Sequence, residues 1–374
     1  MAFSLRTPNP TDTPRTSGHV IMHATTIALA TLTHILCEVV RCLATDPSTP
    51  NALFQVSARN VSATFPMEVS MDTWAENCWI MINIWTLAWM LHTIATLFQR
   101  SIVGPLSCNP EIHSHLFFLV WITINMFRMA AILHWSRYDL VGTLLSRWLV
   151  VGCSFFTLGM SYRNLAHHSA WLQINHPAQI CWIRYLAQNG LAVFCCWSLL
   201  EALVVLGQVL CYVGGLPDPI VSSIIFLLII LFIIVWFTLE RLVFPRHLCY
   251  TFTMYPTLIL GLGAMFTASY QFQAMAANTI LCGIIMGLAT CLSIARSVYS
   301  CFLDDEPPAH SLTLEFDLTS ERCQTVCQIS GWRVLRRSLD PPVKHPACQG
   351  TNGSQEHFSL LLELPLSVLR DSTV

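Results

Sequence analysis

Apolar residues in this chain come in long runs, and the length of each run sets the architecture. A helix needs about 20 apolar residues to cross a bilayer, because each residue rises about 1.5 Å and the hydrocarbon core is about 30 Å thick. Eight such runs occur, at residues 20–42, 74–98, 116–135, 141–161, 185–211, 220–239, 250–270 and 275–295. Breakers and polar residues separate them: Asp46-Pro47, Gly104-Pro105, His176-Pro177, residues 214–219 and Pro245. Pro256 falls inside the seventh run and predicts a kink there. The pattern predicts an all-α fold, a polytopic transmembrane helical bundle of about eight spans. Residues 1–19 are expected as a cytosolic N-terminal segment, 20–300 as the transmembrane domain and 301–374 as a mostly disordered cytosolic tail. The first seventeen residues are polar and rich in proline and threonine, unlike the basic start of a cleaved signal peptide.

Orientation follows from the arginines, since cytosolic loops collect positive charge. With both termini inside, the inner segments ahead of the tail carry Arg6, Arg15, Arg100, Arg163, Arg184, Arg241, Arg246 and Arg296, whereas the outer ones carry only Arg41, Arg59 and Arg137. The N-in, C-in topology also places the sequon Asn60-Val61-Ser62 on the lumenal side, where Asn60 is an expected glycosylation site. The sequon at Asn352 falls in the cytosolic tail and is expected to stay unmodified.

Composition supports lipid as the solvent: 54% of residues are hydrophobic and 11% charged, against roughly 25% charged in soluble domains. Net charge is −2 and no basic run occurs, which excludes a nucleic-acid binder. The 16 cysteines mostly stand singly within apolar runs, where cysteine acts as a small hydrophobe. Retinal attachment is excluded in a span, because Lys344 in the tail is the only lysine.

Ionisable groups inside a bilayer cost roughly 2.5 to 3.5 kcal/mol each on insertion scales, so they face protein or water and have partners. Arg128 and Arg147 fall roughly 10 Å, His34 roughly 12 Å and Glu201 roughly 15 Å from the outer ends of their spans. All four therefore share the outer half. One reading is a polar ligand pocket in which Glu201 neutralises one arginine while the other meets an anionic group. The other is a packing bridge from Glu201 to Arg128 or to Arg147, with the remaining arginine snorkelling outward. A repeat, Trp79 to Asn83 and Trp121 to Asn125, puts Trp and Asn one turn apart on two spans and predicts hydrogen bonding between helices. Gln188, Asn189 and Gly190, and the pairs Gly261/Gly263 and Gly283/Gly287, predict close helix contacts.

The segment 182–210, WIRYLAQNGLAVFCCWSLLEALVVLGQVL, carries Ile183-Arg184, Gln188-Asn189-Gly190, Ala192 and Trp197 in a shared spacing. It resembles a pattern of uncharacterised eukaryotic multi-span membrane proteins, and residues 80–91 are similar to their second-span stretch. Those proteins are similar in turn to the long tryptophan-rich sensory protein or translocator-like group. The resemblance implies a multi-helix fold and an apolar small-molecule ligand, with no catalytic residues to carry over. Cys196, Glu201 and Gly207 depart from the pattern.

Other candidates carry less chemistry. His113, His115, His167, His168 and His176 read as solvated loop histidines, since no multi-box oxygenase pattern occurs. Cys323, Cys327, His345 and Cys348 lack CxxC spacing, so no metal and no cofactor is expected. Cys42 and Cys78 read as two buried thiols, with a disulfide as the alternative. Cys301 is a candidate for palmitoylation. The terminal residues, Asp371-Ser372-Thr373-Val374, fit a PDZ-domain ligand through Ser372 and Val374. No nucleophile and base stand at a workable spacing, so an enzyme is not expected. The expectation is a glycosylated multi-pass protein that binds or moves a small apolar or amphipathic molecule. The alternative is a structural or signalling protein acting through its tail and a PDZ-domain partner.

Overall fold

The computed structural model describes residues 17–45, 54, 56–101, 104–270 and 276–303, and everything below refers to these. The chain folds as an all-α polytopic bundle. Its helices are α1 (Ser17–Thr45), α2 (Ala58–Thr64), α3 (Cys78–Phe98), α4 (His115–Ser136), α5 (Leu140–Asn175), α6 (Pro177–Trp182), α7 (Asn189–Gln208), α8 (Asp218–Thr238), α9 (Pro245–Leu248), α10 (Met254–Ser269) and α11 (Ala277–Leu303). A two-stranded hairpin, β1 (Arg100–Ser101) with β2 (Gly104–Pro105), joins α3 to the segment before α4.

Burial separates the helices into one centre and a ring. In the continuous helix Pro177–Val213 nearly nine tenths of the apolar window is buried, whereas the other long helices bury about a third of theirs. A helix apolar all round needs protein on every side, and α7 has α3, α5, α8 and α10 packed against it. The ring helices instead bury one stripe. On α1 a buried stripe runs through His23, Ile27, Ala30, His34 and Cys37, spaced three or four apart, with Thr33 and Ala44 also buried, while Ile21, Leu32 and Leu36 face outward. Leu91, Leu227, Leu231 and Ile284 are likewise more than half exposed. An apolar exterior this extensive is stable only against hydrocarbon. Seven helices are long and apolar enough to span a membrane, and the protein is an integral multi-pass membrane protein.

Two boundaries differ from the expectation. The fourth run continues as helix to Asn175, so α5 has 36 residues, about 54 Å, and projects beyond any bilayer. Arg163, His167 and His168 lie on that projection rather than in a loop. The seventh run forms only the 16-residue α10, because residues 250–253 are held in a turn by Asn189. Asn189 Oδ1 accepts from the backbone N–H of Phe252 at 3.0 Å and of Thr253 at 3.3 Å, while its Nδ2 donates to Tyr250 O at 2.9 Å. Pro256 consequently sits in the first turn of α10, where a missing N–H costs no bond, and starts the helix instead of kinking it. Although short, α10 still connects the two ends of the bundle. Tyr162 meets Thr251 beside its start, and near its other end Ala264 O accepts from Asp72 N at 3.1 Å and Thr267 Oγ1 from Trp74 Nε1 at 3.0 Å.

One end of the bundle is capped by the connection between α1 and α3. Tyr212 Oη donates to Pro66 O at 2.6 Å, Glu68 N to Asp218 Oδ2 at 3.0 Å and Asn278 Nδ2 to Glu68 Oε2 at 2.6 Å. The Phe65 ring stacks edgewise on Tyr138 and Tyr212. These contacts tie the end of the continuous helix Pro177–Val213, α8 and α11 to one strap. Asn60 lies exposed on α2 within it, so its sequon occupies a short helix instead of an open loop.

Gly190 and Gly261 make the close helix contacts predicted for them, whereas Gly263 and Gly283 have only ordinary van der Waals neighbours. A Cβ on Gly190 would stand 2.8 Å from Trp85 Cδ1, and one on Gly261 would collide with Leu200 of α7. Around Gly287 the space is open, so it is no helix contact. Cys42 and Cys78 are free thiols, Cys42 exposed and Cys78 half-buried. Asn352, Ser372, Val374 and the tail cysteines lie outside the described residues, as does the side chain of Cys301.

Candidate functional site

The four ionisable residues singled out from the sequence converge below the capped end, carried by α1, α4, α5 and α7. Arg147 pairs with Glu201, and Trp79 Nε1 of α3 donates to the other Glu201 oxygen at 2.6 Å. This resolves the open alternative in favour of Arg147. Arg128 does not snorkel. It is 7% exposed and donates through Nη2 to Glu38 Oε1 at 2.8 Å. Its guanidinium also lies 4.6 Å from the Trp79 ring and 5.3 Å from the Phe194 ring, within cation–π range. Trp79 thus joins both ion pairs into one network.

The first helix contributes more than the sequence reading assigned to it. Glu38 accepts from Arg41 Nε at 2.8 Å and from Asn83 Nδ2 as well as from Arg128. His34 Nδ1 is 3.3 Å from Asn125 Oδ1, which also accepts from Arg128 Nη1 at 3.3 Å. The two Trp-Asn repeats therefore converge on the cluster, Asn83 at Glu38 and Asn125 between His34 and Arg128. Glu38 and Arg41 were missed as site residues. The available signal was that Glu38 is the sole acidic residue in the first apolar run.

The network is connected but not closed. Three guanidiniums, of Arg41, Arg128 and Arg147, face two carboxylates, of Glu38 and Glu201, which leaves one positive charge over. Arg147 Nε, His34 Nε2 and Asn83 Oδ1 are buried with no hydrogen-bond partner. Such orphaned atoms cost about 1 to 3 kcal/mol each unless something meets them. Arg147 and Arg41 are about a quarter exposed, so the cluster reaches the bundle surface.

A second buried ion pair sits at the opposite end, between Glu240, in the helical turn that follows α8, and Arg296 of α11. Glu240 Oε1 is 3.0 Å from Arg296 Nη1, and both side chains are at most 7% exposed. Tyr255 Oη donates to Glu240 Oε2 at 3.2 Å, and Arg296 Nη2 to Leu248 O at 2.9 Å. One charge meets one charge here. A cavity of about 40 Å³, room for water, also lies at this end, lined among others by His23, His92, His113 and Gln179. Burial holds His113, in the loop before α4, down to about 3, so it is neutral near pH 7. An open apolar groove runs along the membrane-facing side of α3, lined by Ile80, Met81, Ile84, Trp85, Ala88 and Leu186. The four candidate residues line neither.

Comparison of the chain with models of known protein families, with curated proteins and with solved structures finds no match.

Proposed function

We propose that this is a non-enzymatic membrane protein that binds a small amphipathic molecule with an anionic head, with Arg147, Arg128, Glu201 and His34 at the recognition site. The observation that carries the reading is the unequal charge of the cluster: three guanidiniums against two carboxylates, with Arg147 Nε and His34 Nε2 unmet. Leaving a surplus cation in hydrocarbon is costly, and an anionic group arriving from the lipid interface lowers that cost. The partial exposure of Arg147 offers lateral access from the bilayer. Residues 182–210 resemble uncharacterised multi-span proteins that are similar in turn to the translocator-like group, which implies an apolar small-molecule ligand. The arginine distribution supports a topology in which the capped end, with Asn60, faces away from the cytosol.

Photolabelling of the full chain in nanodiscs tests this. A photoactivatable long-chain carboxylic acid is expected to label peptides of α1, α4 or α5, and the corresponding neutral alcohol to label them at least about tenfold less. Equal labelling by acid and alcohol, or unchanged labelling in Arg147→Gln, overturns the reading.

A further inference from the structure

Histidines gather where α1 begins, at the end opposite the charged cluster. His19 and His23 stand four residues apart on α1 and so share one face. Glu111 lies four residues before His115, the first residue of α4, and its Oε1 accepts from the His115 backbone N–H at 3.2 Å. The carboxylate of Glu111 is the centre of the group. His19 Nε2 is 3.4 Å from its Oε2, while His23 Nδ1 and His115 Nε2 are 3.8 and 3.9 Å from its Oε1.

The two longer separations exceed a hydrogen bond but fit donors around a metal ion. In a tetrahedral site with metal–nitrogen bonds of about 2.0 to 2.1 Å, neighbouring donor atoms stand about 3.3 Å apart. Donor atoms of His19, Glu111 and His115 already lie within 4.8 Å of one another, so a shift of well under 1.5 Å or a rotamer adjustment brings them to bonding distance. His115 Nε2 is buried with no hydrogen-bond partner, while its Nδ1 is 3.4 Å from Thr26 Oγ1. That contact resembles the outer hydrogen bond that orients an imidazole toward a metal. The rings of His19 and His23 lie 4.7 and 4.9 Å from the His115 ring, so all three face one space. His23 also borders the small cavity.

We infer that His19, Glu111 and His115, with His23 as fourth donor, form a binding site for a zinc-class divalent cation that staples α1 to α4. Imidazole and carboxylate donors with no thiolate suit zinc and disfavour copper(I). Each helix start brings a partial positive charge, which opposes a cation, but one ionised carboxylate and three imidazole lone pairs outweigh it. This site is separate from the amphipath-binding cluster and stands without it.

The test uses the full-length protein in detergent, stripped with a chelator and re-equilibrated with zinc alone or cobalt(II) alone. One zinc per chain is expected by elemental mass spectrometry, and cobalt is expected to give the intense visible absorption of a tetrahedral site. The isosteric variant Glu111→Gln keeps the hydrogen bond to the His115 backbone and is expected to bind at least about tenfold more weakly. His19→Ala with His115→Ala is expected to abolish the bound metal, and His167→Ala with His168→Ala to leave it unchanged. Absence of stoichiometric zinc from the wild-type chain, or equal retention in Glu111→Gln, overturns the inference.

Discussion

Glu240 and Arg296 form a pair in which one carboxylate meets one guanidinium, while a tyrosine donates to the carboxylate and two backbone carbonyls accept from the guanidinium. The cluster around Glu38 and Glu201 sets three guanidiniums against two carboxylates and leaves buried atoms of Arg147 and His34 unmet. Both groups lie among helices with lipid outside, so the desolvation problem is similar. The difference lies in balance. A balanced pair joins two segments with its charges cancelled, whereas an unbalanced one retains charge for a further group.

The largest expected effect is on the balanced pair. Arg296→Ala strands a buried carboxylate and is expected to cost about 3 to 5 kcal/mol, read as an early loss of monodispersity in a thermal ramp. Glu240→Leu with Arg296→Met removes both charges and is expected to recover most of that loss; no recovery would mean that the pair does more than cancel charge. The unbalanced cluster is expected to respond in opposite directions to its two members. Glu201→Gln raises the surplus positive charge and is expected to tighten binding of a carboxylate amphipath about tenfold, roughly 1.4 kcal/mol, while Arg147→Gln weakens it by a similar factor. Equal shifts of one sign in both variants would place the cluster with the structural pair.

Two smaller effects mark the loop regions at each end. His113 is held down to about 3 by burial, beside the imidazoles of His23 and His92. As pH falls from 6.5 toward that value, the unfolded chain takes up a proton that the folded one refuses, so stability is lost across the interval. His113→Phe is expected to flatten this part of a stability-against-pH curve. At the other end, Asp139 caps α5 by accepting from Gly142 N at 2.9 Å, and it meets His134 Nδ1 at 2.8 Å. Those bonds hold its carboxyl below the usual range, so its contribution is present above the ordinary carboxylate pKa and fades as pH falls through the lowered one. Asp139→Ala is expected to cost about 0.5 to 1 kcal/mol, at the low side for a cap because the carboxylate is solvated.

Much of the site was legible because polar residues are rare in an apolar run. Arg128, Arg147, Glu201 and His34 stand out for that reason, and the rise per residue places them at similar depth. Partner choice was not legible, since depth leaves the rotation of each helix undetermined. The pairing of Arg128 with Glu38 and of Arg147 with Glu201 depends on which faces of α1, α4, α5 and α7 meet. Glu240 escaped notice because it falls one residue past the apolar run that ends at 239, yet α11 covers it.

The sequence by itself determined that the chain lives in lipid and roughly where its helices run, because hydrocarbon forces each segment to satisfy its own peptide groups and helix length then follows from bilayer thickness. Tertiary structure alone decided that α7 is central, that α10 is short because Asn189 holds the preceding turn, and that imidazoles from α1 and α4 face one carboxylate. Those outcomes depend on contacts between residues far apart in the chain, which the pattern within any one segment does not encode.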